Sequence, residues 1–440
     1  MLISFSVTNY RSIKDTATLS FLPVKAFKEL PGNVFKATDK INLLRSAVIY
    51  GANASGKSNV LKALEGFVRF LLYPDSFFFE KIELYDPFLL NKETFENPSK
   101  FSIEFIDNEK VHFKYSIEFS RKEVISEELL CFPKGQKTRI YTRNINNPIE
   151  YGTIIKGEKK SVETRLSKSQ LFFSKAASEN IYPLQDLFLH LRSLFKSISF
   201  EVTFLSLKEV LIIKLANEDQ IFLNKYTQLI SALDTGIETF DFSIDHSTKF
   251  RPGIKETLGE LFLKYFTLSE PISHNTNNSD INTFHNFYNE KGEVVKQISF
   301  SIENESSGTK SLFSFAYILL KSLENGNLLF IDEIEQNLHP HLVNALVGLF
   351  NNPEINTKNA QLICTTHNTN LLAEDIFRRD QIWFTEKNER GETILYSMAD
   401  IEGVRNNIPY DKWYLSGRFG ATPIVREPDF LYRKNAKGKK

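Results

Sequence analysis

Hydrophobic and polar residues alternate over Leu2–Thr8, at the start of the chain. This period of two predicts a half-buried β-strand, and a similar pattern predicts a second strand at Ala17–Phe21. A continuous apolar run at Ser46–Tyr50 predicts a buried strand. After a short loop, apolar residues recur at helical spacing over Val60–Leu71. The first part of the chain therefore predicts two strands followed by a strand–loop–helix unit.

The middle of the chain contains two different patterns. Lys100–Ser120 alternates again around an Asp-Asn-Glu-Lys turn, which predicts two antiparallel strands. Over residues 162–290 the pattern changes and favours helices at Leu184–Ile198 and Lys255–Thr267. The segment Ser273–Asn289 is polar and rich in Asn, Ser and His, and within it we expect His274–His285 to form a mobile loop. We therefore predict an inserted, lid-like helical subdomain in this region.

A regular alternation of helices and strands resumes after Ser299. Helices are expected at Thr309–Leu323 and His341–Phe350. Strands are expected at Asn327–Ile331, which is buried, and at Gln361–Thr365. Apolar strands that alternate with helices indicate an α/β fold, with a mostly parallel sheet beside the antiparallel strands of the N-terminal part. We predict a main domain in two parts, residues 1–161 and 291–425. The insertion spans residues 162–290, and residues 426–440 form a basic tail.

The composition limits the class of protein. The chain has 440 residues with 54 basic and 54 acidic side chains, so its formal net charge is zero and a uniformly basic nucleic-acid-binding surface is excluded. The basic run Arg433–Lys440 is typical of a solvated tail. Cys131 and Cys364 lie beside apolar residues and fit a core better than a disulfide or zinc site. The chain shows no signal-peptide pattern and no membrane-spanning stretch, which predicts a cytoplasmic protein without a membrane partner.

Gly51–Ser58 reads GANASGKS and matches the phosphate-loop pattern G-x-x-x-x-G-K-[ST]. Its glycines let the backbone curl so that successive N–H groups face phosphate oxygens, and the helix that follows adds the positive end of its dipole. Lys57 would reach the β- and γ-phosphates, and the Ser58 hydroxyl would bind Mg²⁺. Because a strand precedes the loop and a helix follows it, the motif predicts a bound nucleotide with Mg²⁺ rather than an ordinary glycine turn.

Two carboxylates follow the apolar strand Leu328–Ile331. A buried strand that ends in Asp332 would place this acid near Ser58 and the metal ion. Glu333 would then lie beside the γ-phosphate, where it could orient or deprotonate the attacking water. Taken alone, the pair is equally consistent with a solvated acidic turn. In a chain that also contains the phosphate loop, the functional interpretation is favoured.

Two further segments are candidates for contact with a terminal phosphate. Ser307 and Gly308 open a helix upstream of Asp332, and a helix start offers a hydroxyl group and free N–H groups. An ordinary N-cap also explains these residues, and their position before Asp332 is what favours a functional role. His367 follows an apolar strand, where it could bond to the γ-phosphate. A lone histidine is more often structural, but the position at the end of a strand favours the functional interpretation.

Together these motifs resemble the ATPase head of the ABC superfamily, in the branch that contains RecF and SMC proteins. The resemblance covers roughly residues 1–120 and 295–425. It assigns the first-strand motif to Val7–Ile13, the Walker A ending to Gly56–Asn59 and the signature to Ser306–Lys310. It assigns Walker B to Asp332–Glu333, the D-loop to Glu335–Leu342 and the switch histidine to His367. Thr309 and Lys310 depart from the usual signature glycine and glutamine, and a Q-loop glutamine is not identified.

The SSGTK form of the signature, the short insertion and Tyr414–Pro423 resemble stand-alone bacterial ATPases of abortive-infection and anti-phage operons, the RloA/AbiL-like, AAA15/AAA21-type group. This resemblance implies a homodimer or higher oligomer that sandwiches two Mg-ATP molecules. It implies catalytic roles for Lys57, Glu333 and His367, and Mg²⁺ ligands in Ser58 and Asp332. The implied nucleotide contacts are Gly51, Asn53, Ser55, Gly56, Lys57, Ser58, Asn59, Arg11, Ser307 and Gly308.

The function expected from this resemblance is that of a sensor and regulator of a separately encoded effector protein, a nuclease or toxin, in anti-phage defence. One alternative is a RecF-like, ATP-gated DNA-binding protein in repair or recombination, with nucleic acid as its partner. Another is a scaffold that binds ATP without hydrolysing it. The stretch His274–His285 is superficially similar to a His-Asn-His nuclease, but no ββα pattern surrounds it.

Overall fold

The computed structural model describes residues 1–73, 81–196, 211, 215, 218–233, 235–243, 280–373, 376–405 and 408–423. The predicted helix Lys255–Thr267 and the basic tail Arg433–Lys440 lie outside these residues. The described strands are β1 (Leu2–Thr8), β2 (Ala17–Ser20), β3 (Val34–Lys36), β4 (Asn42–Leu44), β5 (Ser46–Gly51), β6 (Ser99–Ile106), β7 (His112–Phe119), β8 (Val124–Cys131), β9 (Thr138–Asn144), β10 (Glu150–Tyr151), β11 (Thr239–Ser243), β12 (Asp280–Tyr288), β13 (Val294–Ser301), β14 (Leu328–Ile331), β15 (Gln361–Thr365), β16 (Ile382–Lys387) and β17 (Thr393–Ser397). The described helices are α1 (Lys57–Leu72), α2 (Lys159–Thr164), α3 (Phe172–Ser178), α4 (Leu184–Leu194), α5 (Gln220–Ala232), α6 (Ser307–Asn325), α7 (Pro340–Asn351), α8 (Asn370–Ala373) and α9 (Tyr410–Leu415).

Strands from the first part of the chain form a seven-stranded antiparallel sheet in the order β10-β9-β8-β7-β6-β1-β2. In β7 every second residue from Phe113 to Phe119 is buried, as a half-buried strand requires. The buried face packs against α1, where the ring of Phe67 stacks on that of Phe101 with the ring centroids 5.7 Å apart. The strand pair predicted over residues 100–120 is confirmed as β6 and β7.

The second large sheet contains five strands in the order β14-β15-β5-β16-β17. The first four run parallel, and β17 returns antiparallel to β16. β5 lies in the centre with all six of its residues buried. Because the four parallel strands share a direction, their carboxyl ends meet at one edge, which is where open α/β sheets bind ligands. The predicted α/β fold class is confirmed.

One glutamine side chain joins the two large sheets. Gln361, the first residue of β15, accepts a hydrogen bond from the backbone N–H of Leu2 (2.7 Å) and donates one to the Leu2 carbonyl (2.9 Å). The glutamine is buried, so these two bonds are shielded from water. The start of β1 is thereby fixed to the start of β15.

Helices α2, α3 and α4 pack into the core of the antiparallel sheet. Val162, Phe172 and Leu191 are buried in the same apolar cluster as β1 and α1. The fully buried carboxylate of Glu127 in β8 accepts hydrogen bonds from the backbone N–H groups of Phe172 and Phe173, each at 2.8 Å. The first part of the expected insertion therefore shares a core with the N-terminal strands.

β11, β12 and β13 form a separate three-stranded antiparallel sheet beside α5 and α6. Tyr226 of α5 joins these elements, because its ring contacts the rings of Phe240 and Phe313 at 5.3 and 6.0 Å. Its hydroxyl donates to the Phe313 carbonyl at 2.7 Å. The expected insertion therefore contains strands as well as helices.

The expectation of a mobile loop over His274–His285 is wrong for residues 280–285, which belong to β12 and pair with a strand on each side. Residues 274–279 lie outside the described part of the chain. Polar side chains conceal the strand pattern in the sequence. Ile281 and Thr283 are buried, whereas neighbouring asparagines bond across the exposed side of the sheet. The segment that resembles a His-Asn-His motif is therefore partly a sheet strand.

Cys131 and Cys364 are buried free thiols, as the sequence predicts. Within the described part of the chain, none of the helices has the length and apolar character needed to cross a membrane.

Candidate functional site

The phosphate loop connects the end of β5 to the start of α1, as predicted. Glycine is required at both of its ends by close packing. A Cβ atom on Gly51 would lie 2.5 Å from Ser55 Oγ, and one on Gly56 would lie 2.6 Å from Thr393 Cγ2. Gly56 also has a φ of 113°, which other residues rarely adopt. The loop is thus shaped by contacts that leave its exposed side for a ligand.

Lys57 is buried at the first position of α1 and points back into the loop. Its ammonium group donates to the carbonyls of Gly51 (2.8 Å) and Ala52 (3.2 Å). Burial lowers the pKa of Lys57, and the negative charges of Asp332 and Glu333 oppose this shift. The lysine is therefore held in the electrostatic field of the carboxylates that the sequence predicts beside it.

Two threonines of the β16–β17 hairpin hold the loop from the other side, and sequence reasoning did not find them. Thr385 shares a 2.7 Å hydrogen bond with the hydroxyl of Ser55. The Thr393 hydroxyl lies 2.8 Å from the Ser55 carbonyl and 2.8 Å from the Ser12 hydroxyl. Asn59 donates to the same Ser12 oxygen at 2.7 Å. In this structure the side chains of Ser55 and Asn59 thus support the loop. The two threonines carry no local signal in the sequence, because they reach the loop through the pairing of β16 with β5 and with β17.

Asp332 and Glu333 follow β14 at the same sheet edge. The Thr365 hydroxyl donates to Asp332 Oδ1 at 2.5 Å and accepts the backbone N–H of Glu333 at 2.8 Å. Glu333 has a φ of 52°, a left-handed conformation that costs energy for a residue with a side chain. Thr365 therefore orients the Asp332 carboxylate and the backbone of Glu333, whose side chain is half-exposed.

His367 lies at the end of β15, beside these acids. Its Nε2 atom is 3.8 Å from Glu333 Oε1, and the two side chains are 38% and 52% exposed. The backbone N–H of His367 donates to the carboxylate of Glu335. The structure therefore brings together three predicted residues, Lys57, Glu333 and His367, at the edge where β5, β14 and β15 end.

The oxygen atoms near Lys57 fit Mg²⁺ that arrives with a nucleotide. Asp332 uses Oδ1 for Thr365, and its Oδ2 forms no hydrogen bond with any residue that the structure describes. Ser58, in the first turn of α1, supplies a half-buried hydroxyl. No group of three or more His, Cys, Asp or Glu in the described residues could hold a metal ion alone. Mg²⁺ typically takes one or two protein oxygens and completes its shell with phosphates and water, as this pair allows.

The signature segment begins α6. Ser306 is the N-cap and accepts the backbone N–H of Thr309 at 3.1 Å, while Ser307 is exposed. A Cβ atom on Gly308 would lie 2.6 Å from the carbonyl oxygen of Asn337 in the same chain. Among the described residues, no hydrogen bond joins 306–310 to the phosphate loop. Within one chain, Gly308 therefore packs against the loop that follows Glu333, and Ser307 remains open to a partner.

Two other predicted nucleotide contacts lie on the surface. Arg11 forms an ion pair with Asp86, with Nε and Oδ2 2.9 Å apart, and its side chain is 37% exposed. Its backbone N–H also donates to the Asp86 carbonyl at 2.6 Å. Asn53 is exposed at the top of the phosphate loop. Arg11 is thus paired within the chain, and Asn53 is accessible to solvent.

The family model described as "AAA domain, putative AbiEii toxin, Type IV TA system" matches residues 46–373, which is well over half of the chain. The chain belongs to this AAA family. The match spans the phosphate loop, both acids and His367. These are the motifs of a P-loop ATPase, and the predicted AAA21-type family is confirmed.

Two solved structures of the recombination mediator protein RecF in the RecFOR pathway are similar over much of their length. The RecF-ATPrS structure is 14% identical, with a TM-score of 0.35, and the match covers 90% of this chain and 98% of that one. The RecF-ATP structure is 15% identical, with a TM-score of 0.30, and the match covers 90% and 97%. No curated protein matches the chain.

Proposed function

We propose that this chain binds Mg-ATP and hydrolyses it at a site completed by a second copy, and that ATP turnover regulates a separately encoded effector protein in anti-phage defence. The observation that carries the enzymatic part is the convergence of Lys57, Asp332, Glu333 and His367 at one sheet edge. A lysine in a phosphate loop beside an oriented pair of acids is the arrangement that phosphoryl transfer to water requires.

The phosphate loop binds the nucleotide through its backbone. The N–H groups of the loop and the start of α1 face the phosphates, where the helix dipole favours negative charge. Lys57 exchanges the carbonyls of Gly51 and Ala52, which it contacts in this structure, for phosphate oxygens. Mg²⁺ held by Ser58 and Asp332 would neutralise phosphate charge when bound. The loop is fixed by Thr385 and Thr393 and therefore needs little rearrangement.

Glu333 is the residue that accepts a proton from the attacking water or orients that water. Its backbone is held by Thr365, and its half-exposed carboxylate is free to face a γ-phosphate. His367, 3.8 Å from Glu333, supplies a donor to the same phosphate. A positioned base of this kind contributes on the order of 100- to 10,000-fold to the rate.

The second copy supplies Ser307 and Gly308. In α6, a helix of 19 residues, Ser307 lies exposed at the positive end of the dipole. Within one chain no hydrogen bond links this turn to the phosphate loop among the described residues. A γ-phosphate bound on one chain would therefore meet the signature turn of another.

The defence role rests on the family description, which contains the words AbiEii toxin and Type IV TA system. A toxin–antitoxin arrangement consists of separately encoded proteins, and it supports an effector that this ATPase holds or releases. The three-stranded sheet and α5, which lie outside the ATP-binding edge, offer surface for such a partner.

The enzymatic proposal is tested by measuring phosphate release from ATP over a range of protein concentrations. The rate per chain should rise with concentration as dimers form, and Lys57→Ala should abolish it. Glu333→Gln should lower the turnover at least about 100-fold while trapping ATP and a dimer that is visible by analytical ultracentrifugation. Turnover by Glu333→Gln at the native rate would overturn the mechanism.

The defence proposal is tested by phage plaque counts in cells that carry this gene with its neighbouring gene. The native pair should protect, and the pair with Lys57→Ala should not, at equal protein abundance. Protection by this gene alone, or equal protection by Lys57→Ala, would contradict regulation of an effector by ATP turnover.

A further inference from the structure

The carboxylate of Glu305 joins the three-stranded sheet to the signature turn. Glu305 directly precedes the N-cap Ser306, and its side chain is only 13% exposed. Two donors from β12 converge on its Oε1 atom, the Thr283 hydroxyl at 2.6 Å and His285 Nε2 at 2.8 Å. An ionised carboxylate can only accept, so Nε2 of His285 carries the proton in this contact. The start of α6 is therefore bonded to β12, the strand that pairs with β13 just before this segment in the chain.

The signature turn is in turn packed against the loop that carries Glu333. The carbonyl of Asn337 lies so close to Gly308 that a Cβ atom would approach it to 2.6 Å. Glu333 and Asn337 both have left-handed backbones, with φ of 52° and 62°. The Glu333 carbonyl also accepts the N–H of Gln336 at 2.8 Å, which makes the loop compact. A displacement of Gly308 thus changes the position of a strained loop that includes the catalytic base.

Lys310 fixes the turn on its other side. Its ammonium group donates to the Glu303 carbonyl at 2.7 Å and lies 3.4 Å from the Glu303 carboxylate. The segment 303–310 is therefore tied at Glu303, at Glu305 and at Gly308. Of these three contacts, only the one at Glu305 reaches β12, and it adds to the chain connection through β13.

We propose that His285 and Thr283 are positioning residues for ATP hydrolysis. Through Glu305 they hold the signature turn in its position against the Glu333 loop. Neither touches the nucleotide-binding edge, and both act through another residue. A partner that binds the three-stranded sheet and displaces β12 would therefore also displace the signature turn. This inference rests on the proposed ATPase function and assigns to that function a regulatory input outside the ATP site.

The test compares four full-length variants with the native protein. His285→Ala removes one donor, His285→Gln replaces it with an amide N–H, and Thr283→Val removes the other donor without changing the size of the side chain. Asn286→Ala is the matched control, because Asn286 lies next to His285 on β12 and bonds instead to Glu238, at 2.8 Å. Thermal unfolding is measured for each variant, so that loss of folding is recognised.

The expected results separate turnover from binding. His285→Ala and Thr283→Val should each lower kcat for ATP about tenfold, since each loses a hydrogen bond to a charged group. The dissociation constant of a fluorescent ATP analogue, which reports the phosphate loop of a single chain, should change less than about twofold. His285→Gln should recover most of the turnover, and Asn286→Ala should be native in both measurements.

Two outcomes identify which proposal fails. If native protein turns over ATP and Gly308→Ala reduces that turnover, but His285→Ala and Thr283→Val retain the native kcat, the positioning role is wrong and the ATPase assignment stands. If His285→Ala weakens nucleotide binding as much as it lowers kcat, or if His285→Gln fails to recover turnover in a folded protein, the positioning role is also wrong. If the native protein releases no phosphate under any condition, the proposed function itself fails.

Discussion

The hydroxyl of Thr365 donates a 2.5 Å hydrogen bond to Asp332 Oδ1. The oxygen of the Thr365 hydroxyl also accepts a hydrogen bond from the backbone N–H of Glu333 at 2.8 Å. One side chain at the end of β15 therefore fixes the direction of the Asp332 carboxylate and the backbone of Glu333. Parallel pairing of β14 with β15 makes this possible, because Ile331 and Cys364 are register partners and the residues that follow them are adjacent.

Replacement of Thr365 by valine should therefore impair both stability and catalysis in a protein that still folds. Valine has the same shape but leaves the Asp332 carboxylate and the Glu333 N–H without this partner. We expect a loss of roughly 1–3 kcal/mol in the free energy of unfolding and a fall of at least about tenfold in kcat for ATP. Denaturant unfolding and steady-state phosphate release measure the two effects. Thr365→Ser keeps the hydroxyl and should retain most of the activity; equal losses in both variants would contradict the role assigned to the hydroxyl.

The Thr393 hydroxyl should control nucleotide affinity rather than the chemical step. It bonds to the Ser55 carbonyl, and its side chain packs against Gly56 at the end of the phosphate loop. Thr393→Val should weaken ATP binding about fivefold because the loop loses one buried hydrogen bond, with kcat at saturating ATP near the native value. Thr393→Ser is the control. A large change in kcat with unchanged affinity would show that the loop is held by other contacts.

Gly308 should be intolerant of even a single methyl group. Gly308→Ala places a Cβ atom 2.6 Å from the Asn337 carbonyl, so either the signature turn or the Glu333 loop must move. We expect ATP turnover to fall about tenfold or more. Gly348→Ala is a matched control within helix α7, where an added Cβ meets nothing within 4 Å. That control should keep full activity and gain up to about 1 kcal/mol in stability from helix propensity. Equal activity of both variants would remove the close approach as a constraint.

His190 should make the protein sensitive to acid. Burial lowers the pKa of His190 from 6.5 to about 4, and the nearby amino group of Met1 adds to this effect. The unfolded chain binds this proton more readily than the folded chain between these values, so the contribution to stability is complete above pH 6.5 and is lost as pH falls toward 4. The shift corresponds to roughly 3 kcal/mol.

The measurement is the unfolding free energy as a function of pH for His190→Gln. This variant cannot titrate but keeps an N–H donor, so its stability should fall less steeply than that of the native protein between pH 6.5 and 4. His341→Gln, at an exposed histidine of α7, should keep the native slope. A native slope in His190→Gln would show that other groups cause the acid sensitivity.

The sequence predicted the parts of the site that depend on local order along the chain. A glycine-rich loop between a buried strand and a helix identified Gly51–Ser58, and an apolar strand that ends in two acids identified Asp332 and Glu333. Both signals are contained in a few consecutive residues. The fold of the parallel sheet followed for the same reason, because alternation of strands and helices is also a local pattern.

The contacts that sequence reasoning missed depend on which strands become neighbours. Thr385 reaches Ser55 only because β16 pairs with β5, with Thr385 opposite Gly51. Thr365 reaches Asp332 only because β15 pairs with β14. A threonine near the end of a strand carries no local mark of such a role. β12 was missed for a different reason, since its polar side chains form cross-strand bonds and weaken the hydrophobic alternation.

The position of β5 in the centre of its sheet has a consequence for synthesis of the protein. β5 is complete at Gly51, but the strands on its two sides begin at Gln361 and Ile382. At typical elongation rates the ribosome needs on the order of tens of seconds to make the residues that separate Gly51 from these two strands. During that time the phosphate loop lacks both flanking strands and the Thr393 contact. We therefore expect a nascent chain, or one truncated before Ile382, to contain the complete phosphate loop but to bind ATP weakly until almost all of the described fold has been made.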